Sequence, residues 1–146
     1  GREMMIVENV LKRLWSGYGL RTLPRDDPRY CSVYSGNRMR RDRAYHNGTV
    51  WPWLIGPFVT AYVKANSYST ESRNFALNSI LVPLLKEEVY RGGLGTVSEI
   101  LDGDSPQPRG CISQAWSVAE PLRAYVEDVL LRRPLYEKKI EESIGL

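Results

Sequence analysis

The sequence predicts an all-α domain, and three observations support that fold class. Several segments repeat apolar residues at the spacing of one helix face, no convincing segment alternates apolar and polar residues as a half-buried strand does, and glycine and proline are frequent between the periodic segments. The chain has 146 residues, which is enough for one domain with its own hydrophobic core. We therefore expect a single domain over 1–146 without an internal boundary.

The first predicted helix carries one apolar stripe and is expected to stop near Gly17, because glycine favours the end of a helix. That stripe consists of Ile6, Val7, Val10, Leu11 and Leu14. A second helix from about Pro52 to Lys64 is apolar on nearly every side, so we expect it to be deeply buried. Pro52 suits the first helical position, whereas Pro57 predicts either a kink or a later start.

The third predicted helix runs from about Thr70 to Tyr90, with Ser69 or Thr70 as its cap and a bend at Pro83. The pair Gly92-Gly93 is expected to end it. Its apolar stripe consists of Leu77, Ile80, Leu81, Leu84 and Leu85.

The fourth predicted helix runs from about Ile112 to Leu131, and Pro121 should kink or split it. The residues expected on its apolar face are Ile112, Ala115, Trp116, Ala119, Leu122, Val126 and Val129. A short fifth helix from Tyr136 to Ser143 completes the predicted set.

Net charge and composition limit the binding partners that we expect for the chain and the cellular compartment in which we expect it. The net charge is only +3, and we expect the basic stretch at 37–43 to be a solvated or ion-paired loop rather than a nucleic-acid surface. Neither a membrane-spanning run of about 18 apolar residues nor a signal peptide is recognised. With only Cys31 and Cys111 present, the simplest interpretation is two free thiols in the cytoplasm, and a single disulfide is the alternative.

The connections between the predicted helices are uneven. Residues 17–50 and 91–110 form long connections, while the link at 65–69 is short. If successive helices run up and down, both long connections lie at the same end of the domain. Long connections in a compact domain are often functional, so this end is where we look for a site.

Polar and aromatic side chains are concentrated in these connections. The first long connection and the helix after it carry Tyr45, His46, Asn47, Thr49, Trp51 and Trp53, and the second carries Glu99, Asp102 and Asp104, followed by Gln114 and Trp116. Aromatic planes, hydrogen-bonding groups and carboxylates are what a carbohydrate site needs, and hydrolysis of a glycoside requires two carboxyl groups. Each residue also has a structural interpretation: a histidine that bonds the backbone, tryptophans in the core, and a surface or capping carboxylate.

Four stretches resemble the C-terminal amylo-α-1,6-glucosidase domain of glycogen debranching enzymes of the archaeal and bacterial type. They are YGLRTL (18–23), YHNGTVWPWLIGPFV (45–59), GTVSEILDGD (95–104) and CISQAWSVAE (111–120), in the order of that family. The resemblance implies an (α/α)6 toroid of antiparallel helical hairpins. This chain would supply its last part, and the upstream half would lie on the same or another chain.

The resemblance also implies an activity and the roles of individual residues. The family removes the single glucose at an α-1,6 branch with inversion, and its general base corresponds to Glu99. The residues implied to line the glucose pocket are His46, Asn47, Thr49, Trp51, Trp53, Gln114, Trp116 and Arg21. Asp102 and Asp104 would hold the turn that presents Glu99. No cofactor or metal is implied.

The family's general acid comes from an earlier connection, and we do not assign its role to Asp42 or another residue here. We therefore expect the isolated chain to be inactive. The expected partners are an α-glucan such as glycogen or a limit dextrin and the upstream half, with a second copy of the chain as a further candidate. Two alternatives stay open: another sugar activity on the same toroid, of trehalase or epimerase type, or a non-catalytic module for glucan binding or partner assembly.

Overall fold

The computed structural model describes residues 1–133 and 135–145 and is mostly helical, which confirms the all-α class. The helices are α1 (Arg2–Leu14), α2 (Arg38–Tyr45), α3 (Ile55–Ala65), α4 (Thr70–Phe75), α5 (Val82–Glu88), α6 (Ala115–Ala124) and α7 (Glu137–Ile144). A 3-10 turn at Pro52–Leu54 precedes α3, and π-helical segments at Ala76–Leu81 and Tyr125–Val129 follow α4 and α6. The two strands are β1 (Ile100–Leu101) and β2 (Pro108–Arg109). The toroid itself stays a prediction.

Helix α3 lies at the centre of the domain, packed against α1 and α6. Its buried side chains include Ile55, Phe58, Val59 and Val63, as the apolar character of the segment predicts. Pro57 falls in the first turn, where a missing N–H costs no helical hydrogen bond, so the alternative of a later start is confirmed.

The third predicted helix is present as α4, a π-helical segment and α5 in succession. Ser69 caps α4 by accepting a hydrogen bond from the Ser72 N–H at 3.2 Å. The predicted disturbance at Pro83 takes the form of the π-helical segment at Ala76–Leu81, since a proline ring and its missing N–H break the regular ladder before it. The helix stops at Glu88, short of the predicted Tyr90.

The predicted start of the fourth helix and most of its predicted apolar face are wrong, although Val129 is buried as predicted. Helix α6 begins at Ala115, and its buried side chains are Ser117, Pro121 and Ala124, whereas Ile112 is 65% and Leu122 59% exposed. The small residues face inward because α3 comes so close that a Cβ at Gly56 would collide with Glu120. Because the two helices pack closely, small side chains rather than large apolar ones face inward. Most of the predicted apolar stripe therefore lies on the surface.

The basic stretch at 37–43 is helical, so its prediction as a loop is wrong. Asn37 caps α2 by accepting a hydrogen bond from the Arg40 N–H at 3.1 Å. Arg38 and Asp42, one turn apart, form an exposed ion pair at 3.4 Å, which agrees with the ion-paired character that was expected.

A small β structure, which the sequence analysis did not predict, joins the two long connections. Strands β1 and β2 pair antiparallel, and isolated bridges link Val50 to both Arg21 and Leu101. Val50 and Leu101 exchange both backbone hydrogen bonds at 2.9 Å. The long connections therefore lie together, as the up-and-down arrangement predicts.

The remaining expectations concern the termini and the cysteines. In α1, Val7 is buried, but Ile6 from the predicted stripe is 57% exposed. Helix α7 matches the predicted fifth helix within one residue at each end. Both cysteines are free thiols in the described chain. Over residues 1–133 and 135–145, none of the helices is long and apolar enough to cross a membrane.

Candidate active site

The candidate site is built where α2 ends, where α6 begins and where β1 starts. Tyr45 is the last residue of α2, Glu99 directly precedes β1, and Trp116 lies in the first turn of α6. The pairing of Val50 with Leu101 brings the first two segments together, and the hydrogen bond from the Gln114 N–H to the Val97 carbonyl joins the start of α6 to them.

Glu99 has a donor on each carboxylate oxygen. The phenol of Tyr45 donates to Oε1, and the backbone N–H of Cys111 donates to Oε2 at 2.9 Å. The backbone N–H of Glu99 also donates to the Cys111 carbonyl at 2.9 Å. Gly110 lies directly against this carboxylate, because a Cβ there would collide with Glu99 Oε2. The Glu99 side chain is thus held in one orientation at a half-buried position.

Tyr45 is the most strongly perturbed group at the site. Burial raises the pKa of Tyr45, and the hydrogen bond and negative charge of Glu99 raise this pKa further. The phenol therefore stays protonated and remains a hydrogen-bond donor at neutral pH.

Four of the predicted site residues form an aromatic cluster. His46 stacks on Trp51 with ring centroids 5.1 Å apart and an interplanar angle of 15°. Trp53 stacks on Trp116 at 5.5 Å and 27°, and the edge of Trp51 meets Trp116 at 6.1 Å. Trp51 is only 5% exposed, while Trp116 is 45% exposed and His46 also faces solvent. Trp51 thus forms the buried base of the cluster, and His46 and Trp116 form its accessible edge.

The side chains of Asn47 and Thr49 make hydrogen bonds to nearby backbone carbonyls. The Asn47 amide donates to the Arg43 carbonyl at 2.8 Å, which closes the C-terminal end of α2. Thr49 has no exposed surface, and its hydroxyl donates to the Tyr45 carbonyl at 2.8 Å. Because a fully buried hydroxyl does not reach a ligand, we reassign Thr49 from binding sugar to holding the end of α2.

Arg21 is likewise buried and used within the protein. Its guanidinium donates to the carbonyls of Gly103 and Trp15, each at 2.7 Å, and only 5% of the residue is exposed. We therefore reassign Arg21 from the pocket lining to the junction of the two long connections.

The turn after Glu99 is held as the resemblance implied. Asp102 accepts hydrogen bonds from the Tyr34 N–H and from the Arg109 guanidinium, both at 2.8 Å. Asp104 accepts from Arg25 at 2.7 Å and from the Tyr30 phenol at 2.9 Å. These bonds fix the segment that presents Glu99.

Gln114 is the residue before α6, and its backbone N–H donates to the Val97 carbonyl at 3.1 Å. Its side chain is half-buried beside the start of the helix that carries Trp116. In the part of the chain that the structure describes, no three His, Cys, Asp or Glu side chains are grouped so that they could hold a metal ion.

Tyr45 is the residue whose role sequence reasoning missed. It begins the stretch YHNGTVWPW and belongs to the predicted group of aromatic site residues, but the sequence assigns it no role. Its contact with Glu99 joins residues 54 positions apart, and no local pattern encodes such a contact.

An oriented carboxylate and exposed aromatic rings on a helical domain are features that a glucosidase-type domain needs. The family comparison makes this class specific: the model described as amylo-alpha-1,6-glucosidase matches residues 1–123. The chain belongs to this family, and the resemblance drawn from the four sequence stretches is confirmed. No solved structure matches the chain.

Proposed function

We propose that this chain forms part of a glycogen-debranching glucosidase that hydrolyses the α-1,6-linked glucose at a branch point with inversion, and that Glu99 is its general base. The observation that supports this proposal best is the Glu99 carboxylate, which is held by two donors beside the aromatic cluster.

The two donors favour a base rather than an acid. Both oxygens of Glu99 accept a hydrogen bond, from the Tyr45 phenol and from the Cys111 N–H, and a carboxylate that only accepts is suited to take a proton. In the proposed step, a water molecule attacks the anomeric carbon from the face opposite to the glycosidic oxygen and gives its proton to Glu99. The bond to the glycosidic oxygen breaks, and the general acid protonates that oxygen. We propose that this acid comes from a part of the enzyme outside these 146 residues.

The aromatic cluster is suited to the glucose ring. The exposed face of Trp116 can pack against the apolar C–H face of a pyranose, and the solvent-facing His46 can bond a hydroxyl. Trp53 and Trp51 support these two residues from behind. The proposed ligand is therefore the terminal glucose of an α-glucan.

The exposed apolar residues of α6 favour association with another part of the enzyme. Val118 and Leu122 are 39% and 59% exposed on a helix whose inward face is already packed, and Ile112, which precedes this helix, is 65% exposed. The upstream half of the domain, on this or another chain, is the partner we propose for this surface.

The proposal is tested by changing Glu99 in a protein that also contains the rest of the catalytic domain. Glu99→Gln should lower glucose release from a branched limit dextrin by about 10²–10⁴-fold, the usual effect of losing a general base. Glu8→Gln, an exposed carboxylate on α1, serves as the matched control and should leave turnover unchanged. Near-normal turnover by Glu99→Gln would refute the base role.

Two further measurements separate this function from the alternatives. Glu99→Ala should regain turnover of α-glucosyl fluoride on addition of azide, because azide attacks without a base, and the product should be the inverted β-glucosyl azide. Trehalose hydrolysis or sugar epimerisation with no action on limit dextrin would favour another activity. Glucan binding in calorimetry without turnover, even beside the rest of the domain, would favour a binding module. The isolated chain is expected to release no glucose.

A further inference from the structure

We propose that Tyr45 is a positioning residue for the general base: its phenol fixes the orientation of the Glu99 carboxylate. This inference rests on the proposed role of Glu99.

The geometry shows that the contact is built into the fold. The backbone carbonyl of Tyr45 accepts hydrogen bonds from Trp51 Nε1 at 2.9 Å and from the Thr49 hydroxyl at 2.8 Å. The Tyr45 ring lies against Trp51 at 4.8 Å and against Tyr34 at 5.4 Å. The main chain and the ring of Tyr45 are therefore held by contacts that do not involve Glu99.

The Glu99 side is equally constrained. The Cys111 N–H binds the other carboxylate oxygen at 2.9 Å, and Gly110 leaves no room for the carboxylate to shift toward it. Tyr45 and Cys111 thus hold one oxygen each, and the remaining lone pairs of the carboxylate can accept a proton from water. Without the phenol, Oε1 loses its donor, and the carboxylate is held by the Cys111 N–H alone.

The direction of the Tyr45 pKa agrees with a permanent donor. Burial raises this pKa first, and the Glu99 hydrogen bond and charge raise it further. The phenol therefore stays protonated at neutral pH and can donate to Glu99 there.

The test compares kcat and KM for limit dextrin in wild type and Tyr45→Phe, again in a protein that contains the rest of the catalytic domain. Phenylalanine keeps the ring packing and removes only the hydroxyl. We expect kcat to fall about tenfold with KM nearly unchanged, because a poorly oriented base affects the chemical step.

The matched control is Tyr90→Phe, which makes the same chemical change on a ring that is 76% exposed. It should leave both kcat and KM unchanged. A Tyr45→Phe enzyme with an unchanged kcat, or one whose KM rises as much as its kcat falls, would overturn the inference, because a misplaced base lowers kcat alone.

A second measurement on the chain itself does not depend on activity. In wild type, the Tyr45 hydroxyl proton should give a slowly exchanging, strongly deshielded NMR resonance at neutral pH. That resonance should be missing in Tyr45→Phe and strongly shifted in Glu99→Gln. An unchanged resonance in Glu99→Gln would overturn the contact. A shifted resonance together with full turnover by Glu99→Gln would overturn the proposed base role while leaving the contact intact.

Discussion

Trp53 and Trp116 stack with ring centroids 5.5 Å apart and an interplanar angle of 27°, although one precedes α3 and the other begins α6. Trp53 is half-buried, and Trp116 is 45% exposed. The stacked pair therefore extends from the packed junction of α3 and α6 to the surface. In the proposed function, the exposed ring of this aromatic platform contacts the sugar and the other ring supports it.

This arrangement predicts different effects for two tryptophans. Trp116→Ala should weaken binding of a short α-1,6-branched glucan by about fivefold, which corresponds to ~1 kcal/mol for loss of an aromatic contact, with little loss of stability. Trp51→Ala should destabilise the domain by about 3–5 kcal/mol, since the ring is only 5% exposed. Calorimetric titration and thermal denaturation measure the two effects. Equal losses of stability in both variants would contradict the platform.

The close approach of Gly110 to Glu99 predicts a loss of activity from one added methyl group. Gly110→Ala places a Cβ against the Glu99 carboxylate, and its φ of +67° is strained for alanine. We expect at least a tenfold drop in turnover of limit dextrin, because the base is displaced, together with about 1–2 kcal/mol of lost stability from the backbone strain.

Gly95 provides the matched control for this prediction. Its φ of +73° is similarly strained for alanine, but an added Cβ would meet nothing within 4 Å. Gly95→Ala should therefore lose a similar amount of stability and keep its turnover. If both alanine variants lose activity equally, the contact with Glu99 is not the cause.

The buried carboxyl of Glu88 leads us to expect that the free energy of unfolding depends on pH, independently of any catalytic activity. This fully buried carboxyl accepts a weak hydrogen bond from the Ser98 N–H at 3.4 Å, and its Oε1 has no hydrogen-bond partner among the described residues. Burial raises the pKa of Glu88 above its ordinary value of 4.5. The neutral form is therefore favoured in the folded state, and folding is opposed where the unfolded chain would be ionised.

The stability that Glu88 contributes is present in full below about pH 4.5 and is lost as the pH rises toward its folded pKa. Glu88→Gln cannot ionise, so the Tm of this variant minus that of wild type should increase between pH 4.5 and 8. Each 1 kcal/mol should correspond to about 3 °C in a domain of this size. The exposed Glu8→Gln variant is the control, with an expected Tm difference that does not change with pH. A constant difference for Glu88→Gln as well would contradict the prediction.

Local patterns predicted the fold where a segment has one strong preference. The segment around Ile55 and Val59 is apolar on nearly every side and becomes the buried α3. Ser69 was predicted to cap α4, and it does so. Helix α2 was missed because its residues are almost all polar, so its stability depends on the Asn37 cap and ion pairs rather than on an apolar face.

The sequence predicted a set of site residues, and the structure separates them into accessible and buried members. The stretches around His46 and Glu99 carry the family resemblance, and chain order together with the long connections placed them at one end. Which members are accessible depends on burial, and Thr49 and Arg21 are among the most buried residues in this region. A buried hydroxyl and a buried guanidinium bond the nearest carbonyls, and residue type alone does not reveal this.

The sequence by itself determined the helical class, the family and the candidate general base, because helix periodicity and family motifs are both written in neighbouring residues. Only the tertiary structure decided that Tyr45 donates to Glu99, that Gly110 confines that carboxylate, and that α6 turns its small residues inward. These features depend on the pairing of Val50 with Leu101 and on the close crossing of α3 and α6. Both bring together residues far apart in the chain, and their partners are chosen by packing of the whole domain rather than by local preference.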